Sequence, residues 1–341
     1  MRRVFSLAVM QVALLCAAVA RAEVSVAGAP PPGGGFSLPI DCAPGIDCWV
    51  MNYPDAAPGK EFADFTCGLR SYDGHKGTDF AIRDVRAMQR GVDVLAAAGG
   101  IVRRARDRMI DRRMRTDADV AALRGRECGN GLVVDHGGGW ETQYCHLRRG
   151  SLVVRAGDRV KRGQPLGRVG LSGQTEFPHV HLSVRHGGAI LDPATGQRLE
   201  AGCGGGGTPL WRAPEKHLYQ PMALYAVGFA DRAVQEEEIL QNADSPERLP
   251  VTAPALVLWA TAFGVRKGDV LTLHIAAPDG GVLYQGTVDM GKDQAWRLDF
   301  AGKKRTQVRW PAGLYRGEAV LRRGKNDTAV TLRKRISVSV Q

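Results

Sequence analysis

Two short histidine motifs, separated by about a hundred residues, contain side chains that can bind a metal ion. His75 and Asp79 form a His-x-x-x-Asp motif, and His179 and His181 form a His-x-His motif. In a β-strand, residues i and i+2 point to the same face, so His179 and His181 can reach one centre. A hydrolytic zinc ion needs about three nitrogen or oxygen ligands and one open position for water. The motifs predict a one-zinc hydrolytic site, but spacing alone does not decide which histidine of the second motif binds zinc.

A further histidine, His146, lies between the two motifs and is a fifth candidate for the site. Each motif alone is common by chance, and two histidines on a strand can simply be exposed. Together, in a β-rich chain, they favour a metal site. His136 lies in a glycine-rich turn, where a structural role is the better prediction.

The N-terminal residues 1–22 have the composition of a secretory signal peptide. Arg2 and Arg3 precede an apolar stretch that ends near Ala18, and Ala20-Arg21-Ala22 fits the small-x-small cleavage rule. This stretch is short for a membrane span, and no later segment offers about 18 unbroken apolar residues. We therefore expect an exported protein, periplasmic or secreted, with no transmembrane segment in the mature chain.

Six cysteines follow the signal peptide, and an even number in an exported chain favours disulfides. Cys42 and Cys48 flank a Pro-Gly turn, which predicts a local disulfide. The other four allow three pairings; Cys67–Cys128 with Cys145–Cys203 is a guess among them.

The formal net charge is +11, or +8 without the three arginines of the signal peptide. A basic charge on an exported protein favours binding to polyanions such as cell wall, anionic lipid or nucleic acid. Nucleic acid is the weakest of these, because the arginines are not interleaved with aromatic residues, which form 6% of the chain.

The length of 341 residues predicts about two domains. Residues 23–35 have a Pro/Gly linker composition, and residues 36–203 contain short alternating apolar runs separated by glycine, which predicts an antiparallel, mainly β domain. Residues 204–250 have little strand pattern apart from a helix near 233–240, and we interpret them as a connecting segment. The alternation of apolar and polar residues that is typical of strands returns in residues 251–341. It fits a small immunoglobulin-like β-sandwich of unknown role.

An ordered series of motifs between residues 68 and 184 resembles the M23 family of zinc metallopeptidases, the lysostaphin- and LytM-like peptidoglycan endopeptidases. The resemblance implies a LytM-like peptidase domain in which His75, Asp79 and His181 hold one zinc ion. It also implies that His146 and His179 are the catalytic pair. The series runs through residues 75–81, 134–137, 142–147, 157–160, 163–167, 170–173 and 178–182.

This resemblance implies hydrolysis of peptide cross-links of peptidoglycan by a zinc-activated water that the two histidines assist. A secreted peptidase acting on Gly-rich proteins would use the same site. A non-enzymatic relative that binds cell wall or activates an amidase is a further alternative, although such regulators typically lack some of the five residues present here. The C-terminal domain could bind wall polymer, a partner protein or the peptidase groove.

Two features depart from the family pattern. Residues 174–177 place Phe177 and a carboxylate where small residues are usual, and residues 103–127 form an insertion with nine arginines. The insertion is either a groove wall that meets peptide carboxylates or a solvated flap whose arginines are paired with its own acidic residues.

Tyr72 and Thr175 are candidates for lining the groove. Asn52 either binds or blocks the zinc, as in some relatives, or makes a loop hydrogen bond, which we favour.

Overall fold

The computed structural model describes residues 31–212, 219–324 and 329–341, and this part of the chain is mainly β. The predicted signal peptide and most of the predicted linker lie outside the described residues. Among the described residues, no helix has the length and apolar character needed to cross a membrane.

Eighteen strands and three short α-helices are present in the described ranges. The strands are β1 Cys48–Asn52, β2 Thr78–Ile82, β3 Asp93–Leu95, β4 Gly100–Arg106, β5 Asn130–Gly137, β6 Trp140–Leu147, β7 Arg159–Val160, β8 Pro165–Arg168, β9 His179–His186, β10 Ala189–Leu191, β11 Ala223–Ala230, β12 Arg248–Leu249, β13 Ala255–Val265, β14 Val270–Ala276, β15 Val282–Asp289, β16 Gln294–Lys304, β17 Gly313–Arg323 and β18 Val330–Val340. The helices are α1 Val85–Arg90, α2 Asp117–Ala121 and α3 Glu236–Gln241, and a 3-10 turn spans Leu199–Ala201.

An antiparallel eight-stranded sheet forms the N-terminal part, in the order β1-β2-β9-β6-β5-β4-β7 with β10 paired to β9. In β9 the sequence alternates histidine with apolar residues. Val180 and Leu182 are fully buried in the core beneath the sheet, which leaves His179 and His181 on the other face. The predicted antiparallel β fold of this region is confirmed.

Two sheets form the C-terminal part and pack around a second core. Their strand orders are β11-β13-β16 and β12-β18-β17-β14-β15. The expected β-sandwich is therefore present, and its immunoglobulin-like character stays a prediction. Strand β11 lies within residues 204–250, so the expectation of little strand pattern there is wrong. Nearly every residue of β11 is buried, and such a strand shows a continuous apolar run without alternation. The helix predicted near 233–240 is α3.

A third cluster of buried residues joins the two parts, and we call it the shared core. Its aromatic centre is Tyr225, which stacks on Phe263 with ring centroids 4.3 Å apart and lies 5.4 Å from the ring of Trp49 on β1. Because the shared core contains side chains from β1, β2, β11 and β13, the two parts form one packed unit. Its members are Trp49, Met51, Ala81, Ala223, Tyr225, Ala226, Val234, Ile239, Ala243, Trp259 and Phe263.

Three disulfides are present in the described residues. The Cys42–Cys48 bond is confirmed. The other pairs are Cys67–Cys203 and Cys128–Cys145, so the guessed pairing was wrong. The backbone N–H of His146 donates to the carbonyl of Cys128 over 2.8 Å, which places Cys128 beside the end of β6 and within reach of Cys145.

Candidate active site

Three predicted metal ligands converge where β2 and β9 pair. Asp79 and His181 are direct register partners on these strands, and His75 precedes β2 by three residues. Asp79 Oδ1 lies 2.8 Å from His181 Nδ1 and 3.1 Å from His75 Nε2, and the two ring nitrogens are 3.1 Å apart. All three side chains are withdrawn from solvent. Nitrogen and carboxylate oxygen atoms meeting in this way could hold one metal ion.

Hydrogen bonds on the far side of each ligand fix its orientation. His75 Nδ1 lies 2.7 Å from the carbonyl of Tyr53 and must donate to it, and His181 Nε2 lies 3.0 Å from the hydroxyl of Ser183. The amide of Asn52 donates to the second carboxylate oxygen of Asp79 over 2.9 Å. Outer partners of this kind are typical of metal-ligating histidines and carboxylates. The loop hydrogen bond that we favoured for Asn52 is therefore wrong, because Asn52 ends strand β1 and binds the side chain of a predicted ligand.

The electrostatics of this site favour a positive charge. Burial alone would raise the pKa of Asp79, but the neighbouring imidazoles of His75 and His179 hold it well below its usual range. Burial likewise lowers the pKa of His75, yet the charge of Asp79 outweighs this effect and raises it. The pKa of His181 is lowered, chiefly by burial. A buried carboxylate between two imidazoles therefore attracts a cation, which fits a zinc ion bound to neutral histidines.

The two predicted catalytic histidines lie together beside this ligand set. The rings of His146 and His179 have centroids 4.6 Å apart, and His179 Nε2 lies 3.4 Å from Asp79 Oδ1. His146 Nδ1 lies 2.8 Å from the carbonyl of Ser172 and must donate to it, so its Nε2 carries the lone pair. Burial, with the charges of His179 and His181, lowers the pKa of His146 well below its usual value. His146 is therefore a neutral proton acceptor.

Aromatic and polar neighbours complete the site. The ring of Tyr72 stacks on His75 with centroids 4.4 Å apart, and the ring of Phe177 lies 4.8 Å from that of His179. Thr175 Oγ1 lies 3.1 Å from His179 Nδ1. The supporting residues Tyr53, Ser172 and Ser183 were missed from the sequence. Ser183 had one usable signal, because it follows His181 by two residues on the same strand face.

His136 does not join the site. Its ring nitrogens lie 2.8 Å from the carbonyl of Gly99 and 2.8 Å from the hydroxyl of Thr142. These contacts tie β5 to its neighbours and agree with the predicted structural role.

The arginine-rich insertion forms one side of a cavity of about 600 Å³ that contains His179. Arg113 and Met114 line this cavity. Arg112 pairs with Asp119, the N3 residue of α2, whereas Arg113 and Arg115 pair with Glu236 and Glu237 on α3. Asp107 and Asp111 instead accept the backbone N–H groups of residues 149, 150, 152 and 171. The insertion therefore lines the groove, and most of the partners of its arginines lie outside it.

A three-ligand metal position with proton-accepting imidazoles beside it is the arrangement of a metal-dependent hydrolase. Residues 73–193 match the sequence profile of Peptidase family M23. The resemblance stated from the motifs is therefore confirmed for this part of the chain.

Several characterised proteins are similar to this region. The cell division protein DipM of Caulobacter vibrioides is 38% identical over 66 residues, which cover 19% of this chain and 10% of DipM. The peptidoglycan DD-endopeptidase ShyA of Vibrio cholerae is 31% identical over 110 residues, 32% of this chain and 20% of ShyA. The chain thus matches a fifth or less of the length of these relatives. A crystal structure of a zinc-containing peptidase from Vibrio cholerae superposes with a TM-score of 0.33 and 25% identity, over 46% of this chain and 39% of that one.

Proposed function

We propose that this protein is an exported zinc endopeptidase that hydrolyses peptide cross-links of bacterial peptidoglycan. The observation that carries the proposal is the convergence of five side chains, His75, Asp79, His181, His146 and His179, within the M23 domain. The substrate class is supported by relatives such as ShyA, whose name specifies peptidoglycan DD-endopeptidase activity.

His75, Asp79 and His181 would hold the zinc ion, which would polarise the scissile carbonyl and make a nearby water more acidic. His146 and His179 would accept the proton of that water at Nε2, because Nδ1 of each ring faces a carbonyl oxygen, of Ser172 and of Phe177 respectively. One of them would then return the proton to the amine that leaves. The low pKa of His146 keeps its ring available as a base at and below neutral pH.

The distribution of charge supports a wall polymer as the substrate. Residues 251–341 contain 15 Lys and Arg against seven Asp and Glu, and this excess equals the whole net charge of residues 23–341. Peptidoglycan peptides carry free carboxylates, so a cationic C-terminal part next to the peptidase domain favours association with them.

The experiment that tests the proposal is mass spectrometry of fragments released from purified sacculi by the zinc-loaded mature protein, with His179→Ala as the control. New peptide termini from wild type alone would establish the endopeptidase and identify the bond. If the wild-type protein releases no fragments from several wall types but still binds sacculi, that result would instead support the wall-binding or amidase-activating alternative. Cleavage of a Gly-rich protein but not of sacculi would support the secreted peptidase alternative.

A further inference from the structure

The cavity beside His179 is built from both parts of the chain. Its floor is formed by site residues, and one wall belongs to the arginine-rich insertion, as described above. Another wall comes from the C-terminal part, where Gln294, Ala295 and Trp296 begin strand β16. Trp296 lies 117 residues beyond His179 in the sequence.

A continuous set of packed aromatic residues holds this C-terminal wall in place. Trp296 packs against the shared core, and its indole N–H donates to the hydroxyl of Tyr225 over 2.5 Å. Tyr225 packs in turn against Trp49 of β1, the strand that also carries Asn52. Protein cores are close-packed, so this contact fixes the distance between Trp296 and the site. The C-terminal part is therefore a wall of the cavity that is packed into the fold.

The insertion wall is held just as firmly. The backbone N–H of Met114 donates to the carbonyl of Thr175 over 2.9 Å, and Arg113 closes the far end through ion pairs of 2.9–3.0 Å with Glu236 and Glu237. The cavity therefore has two sides that are tied to the folded chain. Its volume of about 600 Å³ is in the range of small-ligand sites.

The lining indicates the chemistry of that chain. Trp296 and Phe177 are half-buried, so each offers part of its ring to the cavity. The cations at the cavity, Arg83 and Arg113, are both ion-paired, whereas the exposed carboxylate of Glu176 has no ion pair among residues in the described ranges. The unpaired charge among the side chains of this lining is thus the carboxylate of Glu176. It favours a ligand with an ammonium group next to an uncharged segment.

We propose that the C-terminal module supplies a substrate subsite: Trp296 binds an uncharged segment of a single extended peptide strand, and Glu176 binds a free amino group on it. This inference rests on the proposed endopeptidase function and names the form of its substrate. Aromatic stacking of this kind contributes modestly to binding, but it excludes ligands that do not fit between the two walls.

The test uses zinc-loaded full-length protein carrying His179→Ala, and soluble cross-linked peptides released from peptidoglycan, with binding measured by titration calorimetry. Trp296→Ala should raise Kd about three- to tenfold. Phe300→Ala is the matched control, because it truncates an exposed aromatic side chain on the same strand outside the cavity, and it should leave Kd unchanged. Ala295→Trp fills the cavity without removing any packing and should weaken binding at least as much as Trp296→Ala.

Glu176→Gln should weaken binding of the peptide with a free amino group and not of its N-acetylated form. Equal Kd values for the Trp296, Ala295 and Phe300 variants would overturn the subsite, even if sacculi are cleaved. Binding that changes as expected while wild type cleaves no wall material would instead overturn the proposed function and leave the subsite standing.

Discussion

The hydroxyl of Thr175 lies 3.1 Å from Nδ1 of His179 and 2.8 Å from the carbonyl of Phe177. A carbonyl can only accept, so the hydroxyl donates to the carbonyl of Phe177. The Nδ1–H of His179 then has two acceptors, this hydroxyl and the same carbonyl, which lies 3.0 Å away. This arrangement fixes the ring tautomer that leaves a lone pair on Nε2, the nitrogen that faces Asp79. Thr175 is therefore a positioning residue for a predicted catalytic histidine.

Thr175→Val keeps the shape of this side chain but removes one of the two acceptors of the His179 Nδ1–H. We expect kcat on soluble cross-linked peptides to fall about fivefold, which corresponds to one hydrogen bond of about 1 kcal/mol, with KM little changed. Thr175→Ser restores the hydroxyl and should recover most of the rate. A Ser variant as slow as the Val variant would show that the packing of the methyl group matters and that the hydrogen bond does not.

Removal of one predicted ligand should separate metal binding from catalysis. Asp79→Ala takes away the anion between His75 and His181, so the purified protein should lose most of its zinc. His179→Ala should keep about one zinc ion per chain and lose hydrolysis, because this histidine is assigned to proton transfer. Zinc content after dialysis is measured by mass spectrometry. Zinc retained by the Asp79 variant, or activity retained by the His179 variant, would reverse these roles.

The sequence pointed to the candidate site because the signals for its residues are local. His179 and His181 share a strand face, and His75 and Asp79 are four residues apart, so a short window reveals both motifs. The C-terminal wall of the cavity had no such signal, because Trp296 reaches it through the packing of β16 against β13 and of β13 against β11. Strand β11 was missed for a related reason, since burial on both faces removes the alternation that marks a strand.

The Cys128–Cys145 disulfide should support activity as well as stability. It closes a loop of 17 residues directly before His146, whose backbone has a positive φ of 65°. A non-glycine residue in this conformation costs about 1–2 kcal/mol, which the surrounding structure must offset. Replacement of both cysteines by alanine should lower the free energy of unfolding by about 3 kcal/mol and also reduce kcat.

The matched control for this disulfide is Cys42→Ala with Cys48→Ala, which opens the loop of six residues at the far end of β1 from Asn52. That variant should lose about 2 kcal/mol of stability while kcat stays near wild type. Urea unfolding gives the stabilities, and peptide hydrolysis gives kcat. Equal loss of kcat in both variants would mean that the Cys128–Cys145 bond acts through global stability alone.

A buried carboxyl group outside the site should make stability depend on pH. Asp192 is buried just after β10, and its Oδ1 accepts the N–H of Ala194, but its Oδ2 has no hydrogen-bond partner in the described part of the chain. Burial, aided by the charge of Asp64, raises the pKa of Asp192 to about 7 from the ordinary value of 3.8. The folded protein therefore keeps this group protonated where the unfolded chain has lost the proton.

Because the folded state binds the extra proton, stability falls as pH rises from about 4 to about 7 and stays low above that. The full difference corresponds to at most about 4 kcal/mol. Asp192→Asn cannot ionise, so it should be more stable than wild type at pH 8 and close to it at pH 4. Asp289→Asn, at an exposed position on β15, should leave the pH dependence unchanged. Urea unfolding at pH 4, 6 and 8 gives the stability of the three proteins. If the stability of wild type and of Asp192→Asn changed with pH in parallel, Asp192 would ionise as readily in the folded protein as in the unfolded chain.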